Sequence, residues 1–261
     1  MDKSAVLGTL LGLAAIIGGQ LLEGGAVGEL MQFTAGIIVI GGTLGAVLLS
    51  FSIADVKKAL KLIPSIYQTQ NIDAGIIIKE IVGVSALARK EGILSIEPYR
   101  QKLNTPLFKK TIKYVIDGFE PATVKDIIDH EIDIAIQRDH IAVKVFESAG
   151  GYAPTIGILG AVLGLIHVMS MLNEPTKIGA GIAVAFVATV YGVALANLIF
   201  LPWANKLKRN IEHKTIAMEM VRIGVLGIME GLNPHFLKEK LVVMASQSFT
   251  IEAAKINSTN T

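Results

Sequence analysis

Charged residues divide this chain into four long apolar runs and two polar segments. The runs contain 18, 23, 26 and 28 residues without Asp, Glu, Lys or Arg, at 5–22, 31–53, 148–173 and 178–205. Because a helix rises about 1.5 Å per residue, about 20 residues cross a hydrocarbon layer of about 30 Å. The pattern predicts four transmembrane helices, at about 5–22, 31–53, 150–172 and 178–203.

Lysine and arginine indicate how these spans are oriented. The spans form two hairpins with short turns at 23–30 and 174–177, separated by a charged segment at 54–147 and followed by a tail at 206–261. Of the 24 Lys and Arg residues, only Lys177 lies in either turn. Because cytoplasmic loops are enriched in these cations, we expect the charged segment, the tail and both termini in the cytoplasm. The first run is interpreted as a retained span rather than a signal peptide, since a second span follows almost at once.

The polar segments show helical periodicity. Apolar residues recur every three or four positions, as in Ile77, Ile81 and Val84, and no stretch alternates with a period of two. We expect Pro121 to begin a helix that continues into the third span. After a turn near Pro234, the tail should form a helix that ends near residue 247, with fraying after about residue 250. The predicted fold class is all-α: four transmembrane helices and a helical cytoplasmic domain at 54–147.

Known catalytic motifs are missing from the sequence, as is cysteine. We find no phosphate-binding loop, dinucleotide fingerprint, HExxH motif or serine elbow, so neither an enzyme nor a cofactor site is predicted. The nearest approach to a metal site is a set of four residues on one helical face, Asp126, Asp129, His130 and Asp133. Lys125 and Arg138 lie close by in sequence, so a solvated, ion-paired face is the preferred interpretation over a metal site.

The apolar runs contain no carboxylate, which bears on any role in ion movement. Ion-translocating proteins usually carry an ionisable side chain inside the bilayer. If this chain helps to move an ion, another subunit should therefore supply the acid. His167 is the one near-neutral titrating group in the runs. It is interpreted as a neutral histidine bonded to a neighbouring helix, with a proton relay as the alternative.

Small residues predict that the third and fourth spans are built for protein contact rather than for lipid alone, because such residues let helices approach closely. These residues are Gly157, Gly160 and Gly164 in the third span and Gly179, Ala183 and Gly192 in the fourth. Pro154 and Pro202 remove backbone donors near the predicted inner ends of the two spans. Each proline is either a hinge or a bend tolerated by packing, and the bend is preferred from sequence alone.

The order of these parts, together with three stretches of sequence, resembles a known family of channel subunits. The stretches are GGYAPTIGILGAVLGLIH at 150–167, TVYG at 189–192 followed by Pro202, and GIMEGLNP at 227–234. They resemble the MotA, TolQ and ExbB family over nearly the whole chain, to about residue 247. TolQ and ExbB have three spans, so the additional first hairpin is similar to the MotA branch, the stator subunits of flagellar motors.

The resemblance implies partners and residue roles. MotA-like subunits of the bacterial inner membrane form a ring, understood as a pentamer, around the spans of a MotB dimer, and the complex couples inward ion flow to torque. The ion-accepting Asp then lies on MotB, and neither a cofactor nor nucleic acid is implied. By position, Pro154 matches the proline thought to transmit protonation of that Asp. Thr189 matches a hydroxyl lining the ion path, and Pro202 matches a second proline associated with conformational coupling.

The stretch ARKEGILSIE at 88–97 is similar to the family segment that contacts the rotor protein FliG through charge pairs. The resemblance places the main roles on Arg89 and Glu97 and weaker ones on Lys90 and Glu91. Exposed ion pairs contribute only about 0–1 kcal/mol each, so several can form and break as a rotor passes.

The resemblance also implies which ion is carried. Sodium-driven relatives tend to have Thr where this chain has Ala161 and Ala188, whereas Thr189 is common to both types. Because sodium prefers oxygen ligands, the loss of two hydroxyls favours proton coupling. Two other classes remain open: a TolQ-like or ExbB-like energy transducer without a flagellar rotor, and a passive membrane scaffold.

Overall fold

The chain folds into helices joined by short turns. The computed structural model describes residues 2–68, 73–171 and 175–248, and the fraying expected after residue 250 lies outside these ranges. The α-helices are α1 (Lys3–Leu22), α2 (Phe33–Gly36), α3 (Gly42–Ser50), α4 (Ile53–Ile66), α5 (Ala74–Glu91), α6 (Glu97–Arg100), α7 (Pro106–Ile116), α8 (Pro121–Ser170), α9 (Pro175–Ala194), α10 (Leu201–Met229) and α11 (Pro234–Ser248). Short 3₁₀ turns occupy Val27–Leu30 and Ile93–Ile96, and π-helical turns occupy Ile37–Gly41 and Leu195–Phe200.

Four helical segments are long and apolar enough to cross a membrane: Lys3–Leu22, Val27–Ser50, Pro121–Ser170 and Gly181–Met229. The predicted fold class, an all-α protein with four membrane-spanning helices, is confirmed. The helix predicted to begin at Pro121 is continuous over 50 residues. At about 1.5 Å per residue it is about 75 Å long, more than twice the hydrocarbon thickness. A large part of α8 must therefore lie outside the membrane.

Packing groups the chain into two units. The first unit comprises Met1–Gln70 and Asp139–Lys208, which include the four apolar runs, and the second comprises Asn71–Arg138 and Arg209–Thr261. The segment boundaries predicted at 54, 148 and 206 follow the positions of charged residues. The boundaries of the two units follow contacts between residues. Helix α4 consequently belongs to the first unit although it is charged and amphipathic.

The second unit has a hydrophobic core of its own. Its largest fully buried side chains are Ile81, Ile96, Phe108, Ile112, Ile128, Met220, Leu237 and Leu241. The periodic series Ile77, Ile81 and Val84 lies in this core, as its spacing indicates. Each fully buried side chain of this size contributes about 1.5–3 kcal/mol relative to exposure. The second unit thus has its own source of stability.

Glycines in the left-handed region follow three helices of the second unit, at Gly92, Gly118 and Gly231. Gly92 follows α5 with φ +88°, and Gly231 follows α10 with φ +68°, a conformation that side chains disfavour. Beyond Gly231, the Asn233 side chain accepts a hydrogen bond from the backbone N–H of His235 at 2.9 Å. The turn expected near Pro234 is observed, and α11 begins there.

Candidate functional site

Helices α8 and α9 pack backbone to backbone. A Cβ added to Gly157 would lie 2.8 Å from the carbonyl oxygen of Ala188, and one added to Gly192 would lie 2.5 Å from that of Ala153. Real Cβ atoms essentially never approach another atom below 3.0 Å, so neither position has room for a side chain. Gly164 is equally tight, at 2.9 Å from the Cβ of Ala185. The expected small-residue seam is present at these glycines.

Gly179 does not take part in the contact between α8 and α9. Among the described residues, no atom lies within 4 Å of a Cβ built on Gly179. Two residues later, a Cβ on Gly181 would lie 2.5 Å from Cγ2 of Val168 on α8. Successive residues are about 100° apart around a helix, so these two glycines face nearly opposite directions. Gly181, and not Gly179, therefore faces α8.

The second apolar run packs against the seam at Ala188. Ala188 is fully buried in a cluster with Val187, Ala35 and Val39. A Cβ on Gly160 of α8 would lie 2.9 Å from the Cβ of Ala188 and 3.2 Å from Cγ2 of Ile38. Three apolar runs therefore meet around Ala188.

Pro154 and Thr189 lie on adjacent turns of facing helices. A Cβ on Gly157, three residues after Pro154, would lie 3.4 Å from the Cα of Thr189. Both side chains are half-buried. The Thr189 hydroxyl donates to the Ala185 carbonyl oxygen at 3.5 Å, the outer limit of a hydrogen bond. A hydroxyl held so weakly within its own helix is available to another group.

Two further residues of α8 predicted for the ion path, Ala161 and His167, differ in their exposure. Ala161 is half-buried on α8, and His167 is exposed. The Ser170 hydroxyl donates to the backbone carbonyl of His167 at 2.7 Å, but within residues 2–68, 73–171 and 175–248 no partner is found for the imidazole. The expected bond from His167 to a neighbouring helix is therefore not formed in the described part of the chain.

The two prolines have different helical surroundings. α8 continues as α-helix through Pro154, whereas Pro202 follows the π-helical turn Leu195–Phe200. A proline cannot donate a hydrogen bond and its ring crowds the carbonyl four residues earlier, here that of Leu198. A π-helical turn is one of the local irregularities that accompany bends in helices. The helix thus departs from regular geometry at Pro202 and not at Pro154.

Aromatic residues surround Pro202 in an arrangement that the sequence analysis missed. The indole N–H of Trp203 donates to the Tyr67 hydroxyl at 2.9 Å. The Trp203 ring also meets Phe146 edge to face, with ring centroids 5.5 Å apart. One signal was present, because Trp203 is the chain's single tryptophan and directly follows Pro202. Its partners are far away in sequence and could not be identified.

Asp2 connects the start of α1 to Tyr67 and Lys206, close to Trp203. Its carboxylate caps α1 by accepting from the backbone N–H groups of Ser4 and Ala5, and it forms an ion pair with Lys206. Its own backbone N–H donates to the Tyr67 carbonyl oxygen at 2.8 Å. Lys206, followed by the Ser4 hydroxyl, holds the pKa of the Asp2 carboxyl well below its usual range. The carboxylate is therefore ionised at neutral pH.

Tyr191 ties α9 to the turn before α2. Its hydroxyl donates to the Leu30 carbonyl oxygen at 2.5 Å and accepts from the backbone N–H of Gln32 at 3.3 Å. Tyr191 lies two residues after Thr189, in the stretch TVYG. The two bonds fix the beginning of the second apolar run against α9. Sequence gave no indication of this contact, which joins residues 159 and 161 positions apart.

The four charges predicted to meet a rotor are exposed around the end of α5. Arg89, Lys90 and Glu91 form its last turn, and Glu97 begins α6 after the turn at Gly92. The Lys90 ammonium and the Glu91 carboxylate are 3.9 Å apart, with side chains 82% and 51% exposed. A pair this open to water contributes about 0–1 kcal/mol. All four charges are therefore accessible to another protein.

Glu97 has an internal partner that was not anticipated. Nη2 of Arg100 lies 3.4 Å from Oε1 of Glu97, at the spacing of three residues that lets helical side chains meet. Within the described residues, Nε of Arg100 is buried without a hydrogen-bond partner. The adjacent Ile96 is fully buried and anchors the turn. The backbone at Glu97 is thus held in place by Ile96. The Glu97 carboxylate forms a long ion pair with Arg100.

The acidic face of α8 contains an ion pair. Asp129 accepts from Nη1 of Arg222 on α10 at 3.1 Å. In the described ranges no group of three or more His, Cys, Asp or Glu is arranged to hold a metal ion. Arg222 lies 93 positions from Asp129 in the sequence. The sequence analysis considered only the nearby cations Lys125 and Arg138 and did not identify this partner.

Comparison with known proteins relates the whole chain to one family. Residues 6–92 match the family model "Motility protein A N-terminal", and residues 100–220 match "MotA/TolQ/ExbB proton channel family". Motility protein A of Helicobacter pylori is 35% identical over 246 residues, which cover 93% of this chain and 94% of that protein.

Two solved structures are similar over the same extent. The flagellar MotAB stator complex from Bacillus subtilis matches with a TM-score of 0.85 and 30% identity, over 93% of this chain and 96% of that one. MotAB of C. jejuni matches with a TM-score of 0.88 and 27% identity, over 94% and 96%. The chain belongs to the motility protein A branch of the MotA/TolQ/ExbB proton channel family.

Proposed function

We propose that this chain is the A subunit of a flagellar stator, which forms an ion channel with a MotB-type partner and couples inward ion flow to torque on the rotor protein FliG. The observation that carries the proposal is the packing of the Pro154 turn against Thr189 in the α8–α9 seam. Similarity to a flagellar MotAB stator complex supports it. The match of residues 6–92 to the N-terminal region of motility protein A favours this function over a TolQ-like or ExbB-like transducer.

The partner should provide both the acid and a covering surface. The apolar runs contain no Asp or Glu, so the ion-accepting carboxylate belongs to a MotB dimer. In the single chain, large apolar side chains of α8 and α9 are open, with Met169 66% and Phe186 68% exposed. Extended apolar surfaces indicate contact with other proteins or lipid. A ring of copies around the MotB spans, understood in this family as a pentamer, would cover part of this surface.

Pro154 and Thr189 are assigned the ion-coupled steps. Pro154 has no N–H, so the carbonyl of Gly150 lacks its α-helical donor and can accept a hydrogen bond from water or from a protonated carboxyl. The Thr189 hydroxyl, with its long bond to Ala185, can line the path of a hydrated ion. Pro202, which follows the π-helical turn after α9, is assigned the conformational change.

Proton coupling is favoured over sodium. Ala161 and Ala188 provide no oxygen where sodium-driven relatives tend to have Thr, and dehydrated sodium needs oxygen ligands. Ala188 is also fully buried among three apolar runs, which leaves little space for a hydroxyl. His167, exposed on α8, is a secondary candidate for a proton relay to the partner.

Torque would be delivered by the second unit, proposed to lie in the cytoplasm together with both termini of this multi-pass inner-membrane protein. Arg89 and Glu97, assisted by Lys90 and Glu91, would face opposite charges on FliG. Moving one charge through 100 mV releases about 2.3 kcal/mol, more than the roughly 0–1 kcal/mol of one exposed pair. The membrane potential would therefore drive rotation, and the surface charges would set the register.

The test is torque in a strain lacking its own A subunit, complemented by this chain and its cognate B subunit under imposed proton or sodium gradients. Pro154→Ala and Thr189→Ala should abolish torque while the complex still assembles. Thr215→Ala is the matched control, because its hydroxyl also bonds to the carbonyl four residues earlier, at 2.9 Å, outside the apolar runs. An assembled complex that gives no torque under either gradient would sink the proposal in favour of a non-flagellar transducer.

A further inference from the structure

A cavity of about 330 Å³ opens beside Pro202, within the first unit. Its wall combines the start of α1, the end of α4 and the beginning of α10. The lining includes Gly8, Tyr67, Leu198, Asn197, Trp203 and Lys206. The size falls in the range of small-molecule pockets, roughly 300–1,000 Å³. None of the roles proposed above uses this cavity.

Three lining groups have hydrogen-bond donors to spare. The Tyr67 hydroxyl accepts from Trp203 and keeps its own proton. The Lys206 ammonium has three donors, and among the described residues it has one partner, Asp2. The Asn197 amide has two N–H bonds, and one is given to the Val193 carbonyl oxygen at 3.0 Å. These donors suit an anionic amphiphile that has acceptor oxygens along its length.

The surrounding charge has the sign that such an anion requires. Asp2 and Lys206 neutralise each other, and exposed Lys3 and Lys208 lie next to them in sequence. These cations lie at the ends of the apolar runs, where lysines attract anionic headgroups.

The cavity is polar at one end and apolar at the other. Lys206 and Asn197 are nine residues apart, so the wall extends about 13 Å along the helix. Trp203 lies between them, and tryptophan and tyrosine are typical of the membrane–water interface. Gly8 and Leu198 form the apolar part of the lining. This change in polarity along the cavity suits an amphiphile whose headgroup binds at Lys206 and whose acyl chain lies along Gly8.

We propose that this cavity binds an anionic phospholipid, with its phosphate at Lys206 and Tyr67, an ester carbonyl at Asn197 and the first part of an acyl chain along α1. The assignment of this lipid to the cytoplasmic leaflet rests on the topology in the proposed function. Bound here, the lipid touches Pro202 directly. The π-helical turn Leu195–Phe200, which precedes Pro202, is then in contact with an anionic lipid of the bilayer.

Trp203 makes the site measurable, because it is the chain's only tryptophan. The full-length chain, purified with its B subunit after replacement of any tryptophan there by phenylalanine, is reconstituted in phosphatidylcholine vesicles. Quenching of Trp203 by brominated phosphatidylglycerol is compared with quenching by brominated phosphatidylcholine. We expect the anionic lipid to be preferred about fivefold, the value for one lysine near a membrane surface.

Two matched variants separate the lipid site from the ion pair. Lys206→Gln and Asp2→Asn both break the pair, but only Lys206→Gln removes the cation. The preference for phosphatidylglycerol should disappear in Lys206→Gln and persist or rise in Asp2→Asn. Equal quenching by the two lipids in wild type overturns the proposal, as does an equal loss of the phosphatidylglycerol preference in both variants. Absence of quenching by either lipid also overturns it and would indicate that a second protein surface fills the cavity. The readout does not involve torque, so it succeeds or fails independently of the stator function.

Discussion

The carbonyl oxygen of Ala153 lies where a side chain at Gly192 would begin, 2.5 Å from the position of a Cβ. Neither atom can move away without moving its helix, because the carbonyl oxygen belongs to the backbone and the backbone fixes the position of a Cβ. We expect Gly192→Ala to force α8 and α9 apart and to lower the free energy of unfolding by about 1–3 kcal/mol, the usual cost of overpacking. The midpoint of thermal unfolding of the purified complex in detergent measures this change.

Gly179→Ala is the matched control for that substitution. Gly179 lies on the same helix, and no atom of the described residues is within 4 Å of its added Cβ. Alanine is the better helix former by about 1 kcal/mol in a helix interior, so stability should be unchanged or slightly raised. A similar loss in both variants would mean that the α8–α9 seam is not the reason.

The glycines of α8 and α9 show how much of this site could be predicted from the sequence. Small residues spaced three or four apart identified Gly157, Gly164 and Gly192, because helical periodicity places such residues on one face. Composition alone could not decide between Gly179 and Gly181, since that choice depends on which face of α9 turns toward α8. The four spans were predictable from the lengths of the uncharged runs, because the bilayer imposes that length.

Contacts between distant segments were not predictable. The bonds of Tyr191 to Leu30 and Gln32, and of Trp203 to Tyr67, depend on the angle at which helices meet. No local rule of propensity or spacing gives that angle. The contacts of Trp203, next to Pro202, were missed for this reason.

Thr43 is a buried hydroxyl with no hydrogen-bond partner among the described residues, at 2% exposure. An unsatisfied buried polar group costs about 1–3 kcal/mol, so Thr43→Val, which keeps the shape, should raise the free energy of unfolding by about 1 kcal/mol. Thermal unfolding of the purified complex detects the change.

Thr111→Val provides the comparison for Thr43→Val. Thr111 is also fully buried, but its hydroxyl donates to the Leu107 carbonyl oxygen at 2.9 Å. Removing that bond should lower stability by about 0.5–1.5 kcal/mol. If Thr43→Val were the more destabilising of the two, the Thr43 hydroxyl would have a partner in the assembled complex.

The ion pair of Asp2 and Lys206 predicts a dependence of stability on pH. Because Lys206 lowers the pKa of Asp2 in the folded chain, the stabilisation is complete above the unfolded value of about 3.9 and is lost as pH falls through the lower folded value. Asp2→Asn keeps a good cap for α1 and removes the charge. The stability difference between wild type and Asp2→Asn should therefore be constant near neutral pH and shrink below about pH 4. A difference that persists in strong acid would contradict this account.

Substitutions at Glu97 test the proposed rotor contact separately from folding. The carboxylate is shared between Arg100, 3.4 Å away, and solvent, so a cation on a rotor protein can compete for it. We expect Glu97→Gln to lower the torque per stator modestly, since an exposed pair contributes about 0–1 kcal/mol. Glu97→Lys should lower it further, because repulsion replaces attraction. Torque is measured at stall in tethered cells.

Arg100→Gln is the control, because it removes the internal partner of Glu97 and leaves its carboxylate in place. Torque should then equal or exceed that of wild type, since the rotor no longer competes with Arg100. Charge reversal of the facing rotor residue should restore torque to Glu97→Lys but not to Glu97→Gln. If Arg100→Gln reduces torque as much as Glu97→Gln, the pair serves the fold of the α5–α6 turn, and the rotor contact has to be sought at Arg89 instead.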